Sequence, residues 1–150
     1  IKSTSTDTVI GRIYNMELID NKVKFDIETK LVSGKPFQMG SSTFTIAFDK
    51  NDLSNPTLSN VNPKYTVGNG TGYYNMMVNQ FDNQISLQIL YLYEPSSFLS
   101  TEYERIATIT MDVNDDTFWL TWNREASLMI NPQYKKSHFI LNGLFNGIKK

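Results

Sequence analysis

The sequence predicts an all-β chain, a sandwich or a barrel of about eight short strands. Three observations carry that expectation. Residues 43–48 alternate Thr43, Thr45 and Ala47 with Phe44, Ile46 and Phe48, and the alternation breaks at Asp49 into an Asn/Asp/Ser/Pro run. A period of two means one buried and one solvated strand face, and the polar run is a loop signal. The same pattern recurs along the chain with turn residues between the runs. No segment spaces its apolar residues at the helical period of about 3.6.

Each element follows from this pattern in turn. Residues 1–7 are polar and Ser/Thr-rich, a flexible leader ahead of a single domain over 8–148. Residues 8–19 form a strand that is apolar on both faces, with Val9, Ile13 and Ile19 on one side and Ile10, Tyr14, Met16 and Leu18 on the other. Asp20 and Asn21 turn the chain into the strand 22–31. There Val23, Phe25, Ile27 and Leu31 oppose Lys22, Lys24, Asp26, Glu28 and Lys30. The pair reads as a β-hairpin that lacks the preferred Gly at the second turn position. Ser33-Gly34-Lys35-Pro36 breaks the pattern before the strand 43–48.

Residues 49–72, with Pro56, Pro63, Gly68, Gly70 and Gly72, read as one long loop. Strands 73–81 and 84–93 follow, joined at Asp82 and Asn83 as a second hairpin. Residues 94–103 are a loop led by Pro95. In 105–113, Ala107, Ile109, Met111 and Val113 oppose Thr108, Thr110 and Asp112. In 117–123, Phe118, Leu120 and Trp122 oppose Thr117, Trp119 and Thr121, and beyond Pro132 the segment 138–145 is the last strand.

Composition narrows the function. The 150 residues suffice for one well-filled core. The aromatic residues, 13 % of the chain, fall mostly in β-like runs, where such side chains suit the pleated surface. The net charge of −1, from 14 basic and 15 acidic residues well mixed, argues against a nucleic-acid binder and a polybasic membrane-surface protein. The absence of Cys removes disulfides, thiolate nucleophiles, Cys-based zinc sites and iron–sulfur clusters. No apolar run approaches the roughly 20 residues of a membrane span. The chain begins at Ile1 without Met or a signal-like stretch, which reads as a processed mature protein or an excised fragment.

Three segments line up in order: VKFDIETKLVSGKPF, TFTIAFDKNDLSNPTL and IATITMDVNDDTFWLTW. The second is an aromatic alternation that ends in Phe48–Asp49 and a loop with Leu53. The third holds Ala107-Thr108-Ile109-Thr110-Met111, a penultimate strand before an acidic turn. Over about residues 23–122 the chain resembles the cohesin-like domains of extracellular bacterial proteins. The resemblance implies a two-sheet antiparallel jelly-roll sandwich of eight to nine strands, shared with carbohydrate-binding modules. It also implies a bacterial secreted or cell-surface location and a protein partner bound through one sheet face.

The residues that carry chemistry elsewhere are isolated here. His138 is the only histidine, and a lone His on a terminal strand reads as structural. No G-x-S-x-G elbow is present, so Ser-His-Asp chemistry has no scaffold. Asp26 and Glu28 lie about 6–7 Å apart along one strand face, between the two separations that glycosidases use. Lys22, Lys24 and Lys30 interleave with them, which is the composition of a solvated face. Asp112, Asn114 and Asp116 open like a calcium loop, but Thr117 and Asn123 stand where an EF-hand needs Gly and Glu, so a plain turn is the simpler reading. Asn69-Gly70-Thr71 fits an N-glycosylation sequon, and Thr8 sits in an Asp-Thr-Val pattern like a bacterial O-glycosylation acceptor.

The expected function is therefore non-catalytic: an extracellular interaction or structural module, self-assembly into a surface layer or filament included. Its expected partner is another protein chain, a second copy included, with no cofactor required. If Ile85, Leu87 and Ile89 face the core, Tyr91 and Tyr93 follow them, and Leu90 and Leu92 point outward. Leu90, Leu92, Trp119 and Tyr14 then mark a binding surface. The alternative is a carbohydrate-binding module in which Tyr73, Tyr74, Tyr91, Tyr93, Trp119 and Trp122 supply a stacking platform.

Overall fold

The structure, a computed structural model, describes residues 7–33, 36–142 and 144–146. Apart from Asp7, the expected leader lies outside the described residues. Eleven strands are described: β1 (Thr8–Ile19), β2 (Lys22–Ser33), β3 (Ser42–Ala47), β4 (Leu53–Ser59), β5 (Met77–Phe81), β6 (Gln84–Ile89), β7 (Glu104–Val113), β8 (Trp119–Trp122), β9 (Leu128–Met129), β10 (His138–Asn142) and β11 (Leu144–Asn146). They form two sheets. Sheet 1 has the order β10-β1-β2-β7-β4, and sheet 2 has the order β11-β8-β3-β6-β5 with β9 added beside β3. Apart from one turn of 3₁₀ helix at Pro63–Tyr65, no helix occurs among the described residues.

The strongest alternations become the core. Val23, Phe25 and Ile27 on β2 stand in register with Met111, Ile109 and Ala107 on β7. Across the sandwich, Phe44 and Ile46 on β3 face Leu87 and Ile85 on β6. All ten are essentially inaccessible and belong to one continuous core between the sheets. The Asp20–Asn21 turn closes the first hairpin with both residues at positive φ, 51° and 62°. That is the backbone of a type I′ turn, and Asn21 tolerates the conformation that usually calls for Gly.

The strand count exceeds the expected eight to nine for identifiable reasons. The segment 49–72 is not one loop, because β4 lies inside it and pairs with β7. Pro56 hid this strand. It is admissible because β4 is the edge of sheet 1, where a missing N–H breaks no ladder, and because it sits in a bulge between Ser54 and Thr57. The expected last strand is two: β10 joins sheet 1 beside β1, and β11 joins sheet 2 beside β8. The β1–β10 pair is parallel, the one exception to an otherwise antiparallel pairing among the described strands.

A bulge and a strand end overturn two parity readings. On β1 the register with β2 slips between Tyr14 and Glu17. Ile19, expected to share the core face of Val9 and Ile13, is 52 % exposed as a result. On the other side of the molecule β6 ends at Ile89, so the alternation does not carry through to Tyr93, which is exposed.

Glu104, at the start of β7, ties the loops to the sandwich. Its carboxylate accepts from Lys64 Nζ at 3.0 Å, Tyr65 OH at 2.8 Å and the Ser100 amide at 3.1 Å. Tyr65 is fully buried, and burial together with the neighbouring carboxylate pushes its phenol well above the usual range. At the same end Gly72 lies so close to the Tyr93 carbonyl that a Cβ would overlap it. Glycine lets the chain there accept N–H bonds from Leu92 and Tyr93.

Candidate docking face

Strand pairing decides which side chains share the outer face of sheet 2. From the β5 edge inward they are Met77, Asn79 and Phe81, then Gln88, Ser86 and Gln84, then Thr43, Thr45 and Ala47. Leu128 follows beside Thr43, and Thr121 and Trp119 continue the face on β8. None of these side chains is charged, and no Asp, Glu, Lys or Arg occurs anywhere in the strands of this sheet. Phe81 is 79 % exposed, and Leu128 and Trp119 are also open to solvent. Thr45 is closed over: its hydroxyl donates to the Ala126 carbonyl at 2.9 Å and lies 3.0 Å from Ser86 Oγ. A surface of hydroxyls, amides and a few large apolar groups can bury area against a partner without the cost of desolvating an ion.

Sheet 1 presents the opposite chemistry. Its strands carry Arg12, Glu17, Lys22, Lys24, Asp26, Glu28, Lys30, Glu104, Arg105 and Asp112. Arg12 Nε donates to Glu28 Oε1 at 2.8 Å, and the guanidinium lies 3.9 Å from the Tyr14 ring centroid and 3.6 Å from that of Tyr103. Lys22 pairs with Asp112, whose other oxygen accepts from Asn55 Nδ2 at 2.8 Å. The Asn55 bond and then the Lys22 ammonium hold the Asp112 carboxyl below its ordinary range.

The residues named from sequence fall into separate places. Trp119 is on the sheet 2 face, at the end where Asn83 and Lys50 border it. Leu90 and Leu92 are exposed beyond the far end of β6, roughly 20 Å away at the rise of a strand. There Leu90 accepts from the Tyr74 amide, and Tyr74 is half exposed. Tyr14 lies on the sheet 1 face with Arg12 against its ring, so Tyr14 and Trp119 cannot share one surface. Tyr73 is not a surface residue: it is 1 % exposed, its hydroxyl donates to the Met39 carbonyl, and burial pushes it up to about 12. Trp122 is likewise core, so the six-ring platform does not exist as a unit.

The other candidates resolve as follows. Asp112 is engaged by Lys22 and Asn55, and Asn114 donates to Ser54 Oγ at 3.3 Å. Among the described residues no three His, Cys, Asp or Glu side chains converge as a metal site. Asn69 is exposed in a turn at φ 55°, and Thr8 opens β1 half-buried opposite Ser33 and His138. The His138 side chain lies outside the described residues. Asp26 departs from the solvated-face reading: it is 6 % exposed and accepts from Thr108 Oγ1 at 2.6 Å and Asn15 Nδ2 at 3.1 Å.

Sequence reasoning missed Phe81 as a face residue, although the signal was present. A two-residue turn at Asp82 and Asn83 sets Phe81 opposite Gln84, and Gln84, Ser86 and Gln88 already marked the outward side of β6.

Comparison with known structures confirms the architecture. The chain is similar to the third cohesin of ScaC from Acetivibrio cellulolyticus, solved in complex with the ScaB dockerin, with a TM-score of 0.67 at 13 % identity over 94 % of this chain and 99 % of that one. It is similar to the OlpA cohesin from Clostridium thermocellum, also solved with a dockerin, at TM-score 0.66 and 16 % identity over 94 % and 99 % of the two chains. A non-cellulosomal cohesin from the archaeon Archaeoglobus fulgidus aligns at TM-score 0.57 and 9 % identity over 97 % and 93 %. No protein-family model and no curated protein matches the sequence. The fold is cohesin-like, as the sequence resemblance implied.

Proposed function

We propose that this chain is a non-catalytic protein-interaction module that docks its partner on the outer face of β8, β3, β6 and β5. The observation that carries the reading is the absence of charge from that face, combined with Phe81 at 79 % exposure on it. Cohesin neighbours solved with dockerins support a protein partner. An extracellular or cell-surface location belongs to the same proposal and rests on the cohesin resemblance. Self-association is the form it takes if the partner is a second copy.

The test is calorimetric titration of the purified chain against dockerins from Acetivibrio cellulolyticus and Clostridium thermocellum, with light scattering for self-association. Saturable binding or assembly that Phe81→Lys removes, with the melting temperature held, supports the reading. Binding that survives both Phe81→Lys and Trp119→Lys places docking elsewhere, and no association of either kind ends the proposal.

A second reading, glycan binding, draws on a different region. Exposed Tyr93 and Tyr134 are chain neighbours of Glu94 and Gln133, which line a groove together with Gln38 and Tyr91. Rings with amide and carboxylate neighbours suit a sugar. Affinity electrophoresis with a panel of soluble polysaccharides, repeated with Tyr93→Ala, decides it: retardation that the substitution abolishes is required.

A further inference from the structure

The outer face of sheet 1 contains a polar concavity of ≈ 300 Å³ lined by Asn15, Glu17, Lys24, Asp26, Asn60 and Arg105. Two irregularities of the backbone build it. The β1 bulge turns Asn15 toward Asp26, with Asn15 at φ 55°. A second register slip, opposite Ile27 and Glu28, lets β7 swing Arg105 outward at the rim. Asn60, at φ 49° just past the end of β4, donates to Thr108 Oγ1 at 3.2 Å and closes the remaining side. Bulges re-aim side chains in this way at functional places in sheets.

The charges around the concavity are unlike those on the rest of this face. Arg12 and Glu28 pair, as do Lys22 and Asp112, and Lys30 lies 5.3 Å from the Tyr103 ring centroid. Asp26, by contrast, is buried with neutral donors only and makes no ion pair among the described residues. Glu17, Lys24 and Arg105 likewise form no ion pair there, although Glu17 and Lys24 are register partners. A buried carboxylate without a countercharge is costly unless something supplies one.

We propose that this concavity binds a small zwitterion carrying an ammonium and a carboxylate, the chemistry of a free α-amino acid. The ammonium meets Asp26 and Glu17, and the carboxylate meets Arg105 and Lys24. Two lining groups of each sign then close on a net-neutral ligand, so no net charge is left desolvated. No aromatic ring lines the site, which disfavours a stacked sugar. The inference does not rest on the docking face, which belongs to the other sheet.

Amide NMR of the whole chain, titrated with L-alanine, tests it. The expected result is saturable shifts at Asn15, Asp26, Asn60 and Arg105 with a Kd of about 1 mM or tighter. Acetate or methylammonium alone should bind at least about tenfold more weakly, since each satisfies one half of the site. Arg105→Ala, at an exposed side chain bonded to nothing else described, should abolish saturation without moving the melting temperature, and Asp26→Asn should weaken it about tenfold. If Asp26→Asn does not fold, Lys24→Ala takes its place. An equal response to glucose, saturation that persists in Arg105→Ala, or no saturation by about 50 mM L-alanine would each overturn the proposal.

Discussion

On the outer face of sheet 1, Arg12 is clasped by Glu28 and two tyrosine rings, and Lys22 by Asp112. On the outer face of sheet 2, the same pleat displays Gln84, Ser86 and Gln88 beside bare Phe81. Both faces are solvated in the isolated chain, yet only the second is cheap to dehydrate. Removing the first from water would strip hydration from charged side chains such as Lys22, Lys24, Glu17 and Arg105, and would enclose the fixed Arg12–Glu28 and Lys22–Asp112 pairs. The difference teaches that docking capacity here is set less by the number of exposed rings than by what surrounds them. Tyr14 is as open as many binding residues, but its ring is already engaged by Arg12.

The largest effects test whether the two sheets depend on one core. Phe25→Ala in sheet 1 and Phe44→Ala in sheet 2 should each cost roughly 2–5 kcal/mol. Both residues are essentially inaccessible within the same core cluster, so denaturant unfolding should remain a single transition in each variant. Separate transitions for the two sheets would break the comparison at its root.

Glu104→Gln comes next, at roughly 1–3 kcal/mol, because four donors, from Asn62, Lys64, Tyr65 and Ser100, lose a charged acceptor at once. Thermal melting measures it, and hydrogen exchange should rise at Ser100 and Tyr65 before it rises in β2. Phe81→Lys should change stability by no more than about 0.5 kcal/mol while removing partner binding.

Salt sharpens the contrast at smaller amplitude. Ionic strength raised from about 0.01 M to about 1 M shortens screening from ~30 Å to ~3 Å. Association through sheet 2 should be nearly indifferent to that change, whereas an interface on sheet 1 would weaken. The smallest effect concerns Asp112, whose carboxyl is held below its ordinary range by Asn55 and Lys22. A depressed carboxyl stabilises the fold above its unfolded value and loses that contribution as pH falls through the lower folded one. Below about pH 4, the wild type should therefore lose slightly more melting temperature than Asp112→Asn.

Much of this was written locally. The alternations Val23/Phe25/Ile27, Phe44/Ile46/Phe48 and Ala107/Ile109/Met111 name core residues, because side-chain direction in a strand depends only on the next peptide. The absence of charge from β3, β5, β6 and β8 is equally a property of the sequence. What it did not reveal is that these strands lie side by side, with Phe81, Gln84, Ala47 and Trp119 at one end of one face. That neighbourhood is decided by pairing between distant segments.

The errors have the same origin. A bulge between Tyr14 and Glu17 reverses parity for Ile19, and edge placement alone makes Pro56 compatible with β4. The alternation of 117–123 separates Trp122 from Trp119, but Tyr73 is indistinguishable from Tyr74 until Met39, Tyr65 and Ser97, from distant loops, pack around it. The sequence by itself determined the strand class, the core and the charge inventory of each strand, since these follow from a period of two. Tertiary structure alone decided which faces those strands share and where Asp26 is buried, since burial depends on what long-range packing brings on top.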